Sequence, residues 1–213
     1  MKKTLICAAA ALLAACGGCC CSDCNDAGAA GDPQAMMAKM MELGTPGQRH
    51  EVVMGLVGTW NAENKMWMDP AGEPELTTGT LTVRPAHDGR YVIGEYRSSF
   101  KMPGQDGKMM DVPFSGTQIW GFSNADGEYQ STWIDSFSTG QMRSSGKPGS
   151  NPNVVEEEGS MMGPDERGNI VKQRHWMKTT RVNPDRYVME MWSECQGIPK
   201  HKSMEITYTR TGR

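Results

Sequence analysis

The sequence predicts an all-β protein: an antiparallel, closed β-barrel of about ten strands, preceded by a short N-terminal helical segment. Three observations carry this expectation. Residues 203–210 alternate, with Met204, Ile206, Tyr208 and Arg210 on one side and Ser203, Glu205, Thr207 and Thr209 on the other, as an antiparallel strand with one buried face requires. Residues 128–137 alternate too, placing Tyr129, Trp133, Asp135 and Phe137 opposite Gln130, Thr132 and Ser136. Turn dipeptides recur at short intervals, among them Asp88-Gly89, Asp126-Gly127, Gly163-Pro164 and Asn183-Pro184; Asp-Gly between alternating runs marks hairpins.

The chain has 213 residues, enough for one sizeable domain with an appendage. It opens as a targeting segment. Lys2 and Lys3 precede an apolar run from Leu5 to Ala15 that is too short to span a bilayer as a helix. The run ends in Leu13-Ala14-Ala15-Cys16, which resembles the bacterial lipoprotein box. Residues 1–15 are therefore expected to be a lipoprotein signal peptide and Cys16 the lipidated N-terminus. Two or three acyl chains at Cys16 anchor stably where one does not, because each buried methylene contributes roughly 0.8 kcal/mol. The implied location is the outer membrane of a bacterial envelope, facing the periplasm, with Gly17 after the cysteine fitting that sorting. The formal charge is −3, and −5 once Lys2 and Lys3 leave with the segment. No basic stripe stands ready for phosphates, which argues against nucleic acid as a partner.

Residues 16–33 are rich in glycine, alanine and cysteine without periodicity and read as a flexible tether. Cys19, Cys20, Cys21 and Cys24 crowd within it. Thiolates attract soft metals, but no histidine or second cysteine pair stands at zinc-site spacing, and an oxidised or capped tether is favoured. Residues 34–57 form the helical lead-in. Met36, Met37, Met40 and Met41 stack on one face of its first helix. Such a stripe offers thioethers to Cu(I), though an adaptable apolar face covering a gap is the preferred reading. Thr45-Pro46 opens a second helix that carries His50, Val53, Met54 and Val57 toward the barrel. The barrel domain spans 58–213. Gly58-Thr59-Trp60 begins it, a glycine for the sharp entry and an indole to plug one end. Strands are expected near 58–68, 75–85, 90–102, 109–122, 128–137, 140–147, 153–162, 169–181, 185–195 and 201–210. Closing the sheet removes both edges. Cys195, alone in a strand, is expected to be a small core residue.

Four elements are familiar in combination: His50 to Trp60 followed by Lys65-Met66-Trp67-Met68-Asp69-Pro70; Gly89-Arg90-Tyr91 leading to Glu95-Tyr96; Pro113-Phe114-Ser115-Gly116 running to Trp133-Ile134-Asp135-Ser136 and Thr139-Gly140; and the closing Lys202 to Arg210. Together, over residues 48–210, they resemble the bacterial domain of unknown function 1579 family. The resemblance departs at two turns, where Gly121-Phe122-Ser123 and Asp88-Gly89 replace the usual residues. The family is similar to lipocalins and fatty-acid-binding proteins, which implies an antiparallel barrel with a cavity and no established activity. It also implies a plug of Arg210 over Trp60, drawn together when the first and last strands pair, a contact that contributes about 0.5–2 kcal/mol.

The expected cavity residues are Trp60, Tyr129, Trp133, Asp135, His175, Tyr208 and Arg210. A small, mostly apolar molecule is the expected occupant. Asp135 is the candidate general acid/base, with Arg90, Arg97, Arg174 or His175 as partner; the alternative is a turn-capping aspartate beside Ser136. His175 is the one candidate haem ligand, by likeness to a related barrel family, and no cofactor is otherwise expected. His50, His87 and His201 lack ligand spacing, so no metal site is expected. No nucleophile elbow, phosphate loop or HExxH motif occurs. A third possibility is copper or thiol handling by the Cys and Met tracts.

Overall fold

The computed structural model describes residues 32–104, 106–165 and 167–212. The expected signal peptide, Cys16, and Cys19, Cys20, Cys21 and Cys24 lie outside the described residues. The chain divides into two compact units, Met1–Lys39 and Met40–Arg213. Helix α1 (Pro33–Gly44) crosses the boundary and buries none of its residues. Met36, Met37, Met40 and Met41 are all exposed, against the expectation of an apolar face covering a gap.

Helix α2 (Gln48–Met54) seals one end of the second unit. The His50 ring accepts the Gly47 amide at 3.0 Å, which satisfies a helix-entry donor. His50, Val53 and, just beyond, Leu56 are buried, and His50 meets Phe122 edge-on at 5.7 Å. Ten strands follow: β1 (Gly58–Met66), β2 (Glu75–Ala86), β3 (Tyr91–Pro103), β4 (Met109–Ser123), β5 (Glu128–Asp135), β6 (Met142–Gly146), β7 (Val154–Pro164), β8 (Ile170–Asn183), β9 (Arg186–Cys195) and β10 (Ile198–Gly212). Each pairs antiparallel with its neighbours, and β1 pairs with β10, so the sheet is a closed barrel. Observed strand ends fall within two residues of those expected, except that β10 starts three residues earlier, at Ile198. Cys195 ends β9 half-exposed rather than in the core, because the β9–β10 turn begins at the next residue.

Trp60 faces Arg210 across the closing pair. The guanidinium carbon sits 4.0 Å from the centre of the indole, and the indole Nε1 donates to Leu56 O at 2.8 Å. Arg210 also donates to the carbonyls of Val57, Gly55 and Pro184 and pairs with Asp185 at 3.1 Å. One side chain thus holds helix exit, first strand, last strand and the β8–β9 turn. Gly58 makes room for it: its φ is +134°, and a Cβ there would strike Arg210 Nη1 and Gly212 O. Around this clasp packs the core of the closed end, with Val53, Leu56, Leu81, Val83, Val92 and Tyr187 among its buried members.

Arg210→Ala would leave several carbonyls and the indole face without their cation. The expected loss is about 3 kcal/mol of unfolding free energy, read as a lower urea midpoint at unchanged slope. Arg210→Lys, lacking the planar fork, recovers less than half of it.

Candidate functional site

All ten strands contribute to an interior cavity of about 560 Å³ at the end opposite α2. Its walls are mostly thioethers and rings. Met66, Met142, Met161, Met191 and Met204 point inward, with Met68 and Met102 at the mouth. Phe100, Phe114, Trp133 and Phe137 form one aromatic flank; Phe114 stacks on Trp133 at 6.4 Å and meets Phe137 edge-on at 5.0 Å. Gly116 permits this flank, since a Cβ there would collide with the Trp133 ring. Tyr96, Ile206 and Tyr208 make the floor. Below it Tyr208 stacks on Tyr187 at 4.4 Å, and Tyr187 meets Trp60 edge-on at 4.8 Å. Burial pushes the Tyr187 and Tyr208 hydroxyls well above the ordinary tyrosine range, so neither ionises in use.

Of the sequence-predicted residues, the structure brings Trp133, Asp135, His175 and Tyr208 to the cavity. Trp60 and Arg210 form the clasp at the sealed end. Tyr129 packs there too, against Phe122 at 5.1 Å and Trp120 at 6.3 Å. Asp135 accepts the Trp133 indole N–H at 2.9 Å on one oxygen, and the amides of Phe137 and Ser138 on the other. It therefore ends β5 and fixes the Trp133 ring, which is an Asx-type turn. Its three proposed arginine partners are elsewhere, while His175 lines the same cavity but is bonded to Ser193. Arg90 donates to Gly44 O and His87 O, Arg174 pairs with Glu158 and Glu194, and Arg97 faces outward.

His175 is 6% exposed. Its Nδ1 lies 3.0 Å from Ser193 Oγ, which lies 2.7 Å from Ser203 Oγ, which donates to Met191 O at 3.3 Å. Each serine has one hydrogen to give. Ser203 gives its hydrogen to the carbonyl and Ser193 gives its own to Ser203, so Nδ1 must be the protonated nitrogen of the ring. Nε2 then carries a bare lone pair, and it is buried without a partner. Burial holds the ring's pKa below the ordinary histidine value, which keeps it neutral. Asn64 is a second such group. Its amide donates to Thr77 Oγ1 at 2.9 Å and Tyr96 Oη at 2.8 Å, while its buried Oδ1 has no partner.

Sequence reasoning missed Asn64 and Glu157. Glu157 sits in the run Glu156-Glu157-Glu158, which reads as a solvated charge cluster. The two-residue period of β7 turns only the middle member inward, beside Val155 and Gly159. It is 7% exposed, with Ser144 Oγ donating at 3.4 Å and Ser131 and Ser144 joined at 2.6 Å. Trp120 Nε1 approaches the same carboxyl without reaching hydrogen-bonding geometry. No cation among the described residues acts on it, and burial pushes its pKa up to about 7. A second hollow of about 600 Å³ involves β6 to β9 and Lys200. Lys147, Glu156, Glu158, Lys178 and Lys200 ring it, and Lys200 sits 4.0 Å over Trp176. That charged lining is poorly suited to an apolar molecule.

The sequence profile described as "Protein of unknown function (DUF1579)" matches residues 45–210. No curated protein matches the chain. Among solved structures, the chain is similar to Rv2717c from M. tuberculosis, at 14% identity over 78% of this chain and 99% of that one, with a TM-score of 0.53. A redesigned β-barrel matches at 10% identity, 75% and 95% coverage and a TM-score of 0.35. A DUF3598-family protein of unknown function from Nostoc punctiforme matches at 9% identity, 78% and 100% coverage and a TM-score of 0.27. The first supports the barrel fold alone, and the other two superpose too loosely to add to it.

The raised Glu157 pKa has a measurable consequence. The folded protein keeps this proton to higher pH than the unfolded chain does, so Glu157 lowers folding stability as pH rises from about 4.5 to about 7. Glu157→Gln removes that slope. The variant should match the parent at pH 4 and exceed it at pH 8 by up to about 3 kcal/mol, measured by denaturant unfolding at both pH values.

Proposed function

The chain belongs to the DUF1579 family, and from its interior cavity we propose that it is a lipid-anchored envelope protein that binds a small, mostly apolar molecule inside the barrel. The observation that carries this reading is the cavity itself: about 560 Å³, open at one end and walled by seven methionines and six phenylalanine, tyrosine and tryptophan rings. Burying apolar surface there is favourable at about 25 cal/mol per Å², and thioether walls adapt to the shape presented. Asp135, occupied in ending β5, supports the binding reading over the acid/base one.

Cys16, at the lipoprotein-like box, supplies the membrane partner, and residues 16–33 the reach between bilayer and barrel. The protein would then stand on the outer membrane, facing the periplasm. A second reading places haem in the same cavity. It is favoured by the unpartnered His175 Nε2, whose neutral imidazole is of the type that ligates haem iron.

Three experiments test these readings. The hydrocarbon probe diphenylhexatriene should bind the purified chain in a saturable manner. Met191→Trp, which fills the cavity, should weaken it at least tenfold without lowering thermal stability; unchanged binding would place the site elsewhere. A Soret band in protein purified from its own cells, lost in His175→Phe, would establish haem instead. Mass spectrometry of the N-terminal peptide should find acyl chains on Cys16, and none in Cys16→Ser.

A further inference from the structure

We propose that the cavity selects a neutral, apolar molecule bearing a hydrogen-bond donor, such as a hydroxyl or amine-type N–H, and rejects the carboxylate of the same chain length. The proposal rests on the cavity-binding reading and adds to it the chemistry of the occupant's polar end. It follows from which buried polar atoms are left over once the interior hydrogen bonds are counted.

Among the described residues, two buried polar atoms of cavity-lining side chains are left over, and both are acceptors; neither is open at the cavity surface, and a bound donor reaches them by displacing the compliant side chains around them. The serine relay from His175 through Ser193 and Ser203 to Met191 O places the ring proton on Nδ1, so Nε2 presents only a lone pair. On β1, three strands round the barrel from β8, Asn64 has spent both amide hydrogens on Thr77 and Tyr96, leaving Oδ1. His175 and Asn64 are 6% and 4% exposed, and both line the cavity.

Buried acceptors without partners are costly, and a ligand that brings hydrogens relieves that cost. A carboxylate brings the opposite: two more acceptor oxygens and a charge. The charged lining residues are Glu75, Asp135 and Lys101. The first two repel an anion. Lys101 is largely exposed and paired with Asp111 at 3.3 Å. No cation among the described lining residues therefore reaches the interior to receive a carboxylate, and burying one unpaired is strongly unfavourable.

The test uses 1-dodecanol, its methyl ether and dodecanoate as competitors for bound diphenylhexatriene. The alcohol should displace the probe at concentrations at least tenfold below those of the ether and of the carboxylate at pH 8. In His175→Phe and, independently, in Asn64→Leu, the alcohol's advantage over the ether should shrink several-fold while the probe still binds. Should one variant fail to fold, the other carries the comparison. If the probe binds and alcohol, ether and carboxylate compete equally, or the carboxylate wins, the donor rule is overturned and the cavity reading stands. If the variants leave the alcohol's advantage intact, the two acceptors are not its partners and the proposal fails. If the probe does not bind at all, the cavity reading itself has failed.

Discussion

The contact of Arg210 with Trp60 is the constraint on which the rest of the fold depends. A ten-stranded sheet whose end strands failed to meet would leave two rows of unpaired amides and carbonyls exposed. Here the last strand returns to the first, and one guanidinium ties that seam to the helix exit and to the β8–β9 turn. The indole beneath it transmits the constraint inward through Tyr187 and Tyr208 to the cavity floor. Sealing one end so tightly allows the other end to stay open.

The interior is divided accordingly. Toward the sealed end, packed side chains surround a carboxyl kept protonated through mildly acid pH by its burial beside two serines. Toward the mouth, polar groups are sparse and mutually committed. The serine relay orients one imidazole, the Asn64 amide bridges β1 to β2 and β3, and Asp135 holds one indole. Each network does two jobs, since the hydrogen bonds that fix a side chain also decide which atom it shows to the cavity.

The strands, the closure and the clasp were legible because a period of two places whole sets of residues on one face. Met204, Ile206, Tyr208 and Arg210 announce the inner face of β10, and Trp60 needs only strand pairing to meet its partner. The spacing also put Asp135 beside Trp133, and a turn-capping role was one of two foreseen. The cavity lining was not legible as a set. Met66, Met142, Met161, Met191 and Met204 lie on five different strands, and only the barrel topology makes them neighbours. Asn64 and Glu157 were hidden for a related reason. One lies between charged residues and the other within a glutamate triplet, so local composition reads as solvated while the strand register turns each inward. The α1 methionines illustrate the converse: an apolar stripe in sequence finds no burial in the structure.

A wall of unbranched thioethers is compliant. Each methionine has three rotatable bonds and a polarizable sulfur, so the chamber's outline bends to the guest instead of dictating it. Discrimination by contour is correspondingly weak in such a vessel, and molecules of differing girth fit at similar cost. Whatever fidelity the protein has must come from the few rigid, directional atoms set among those soft walls.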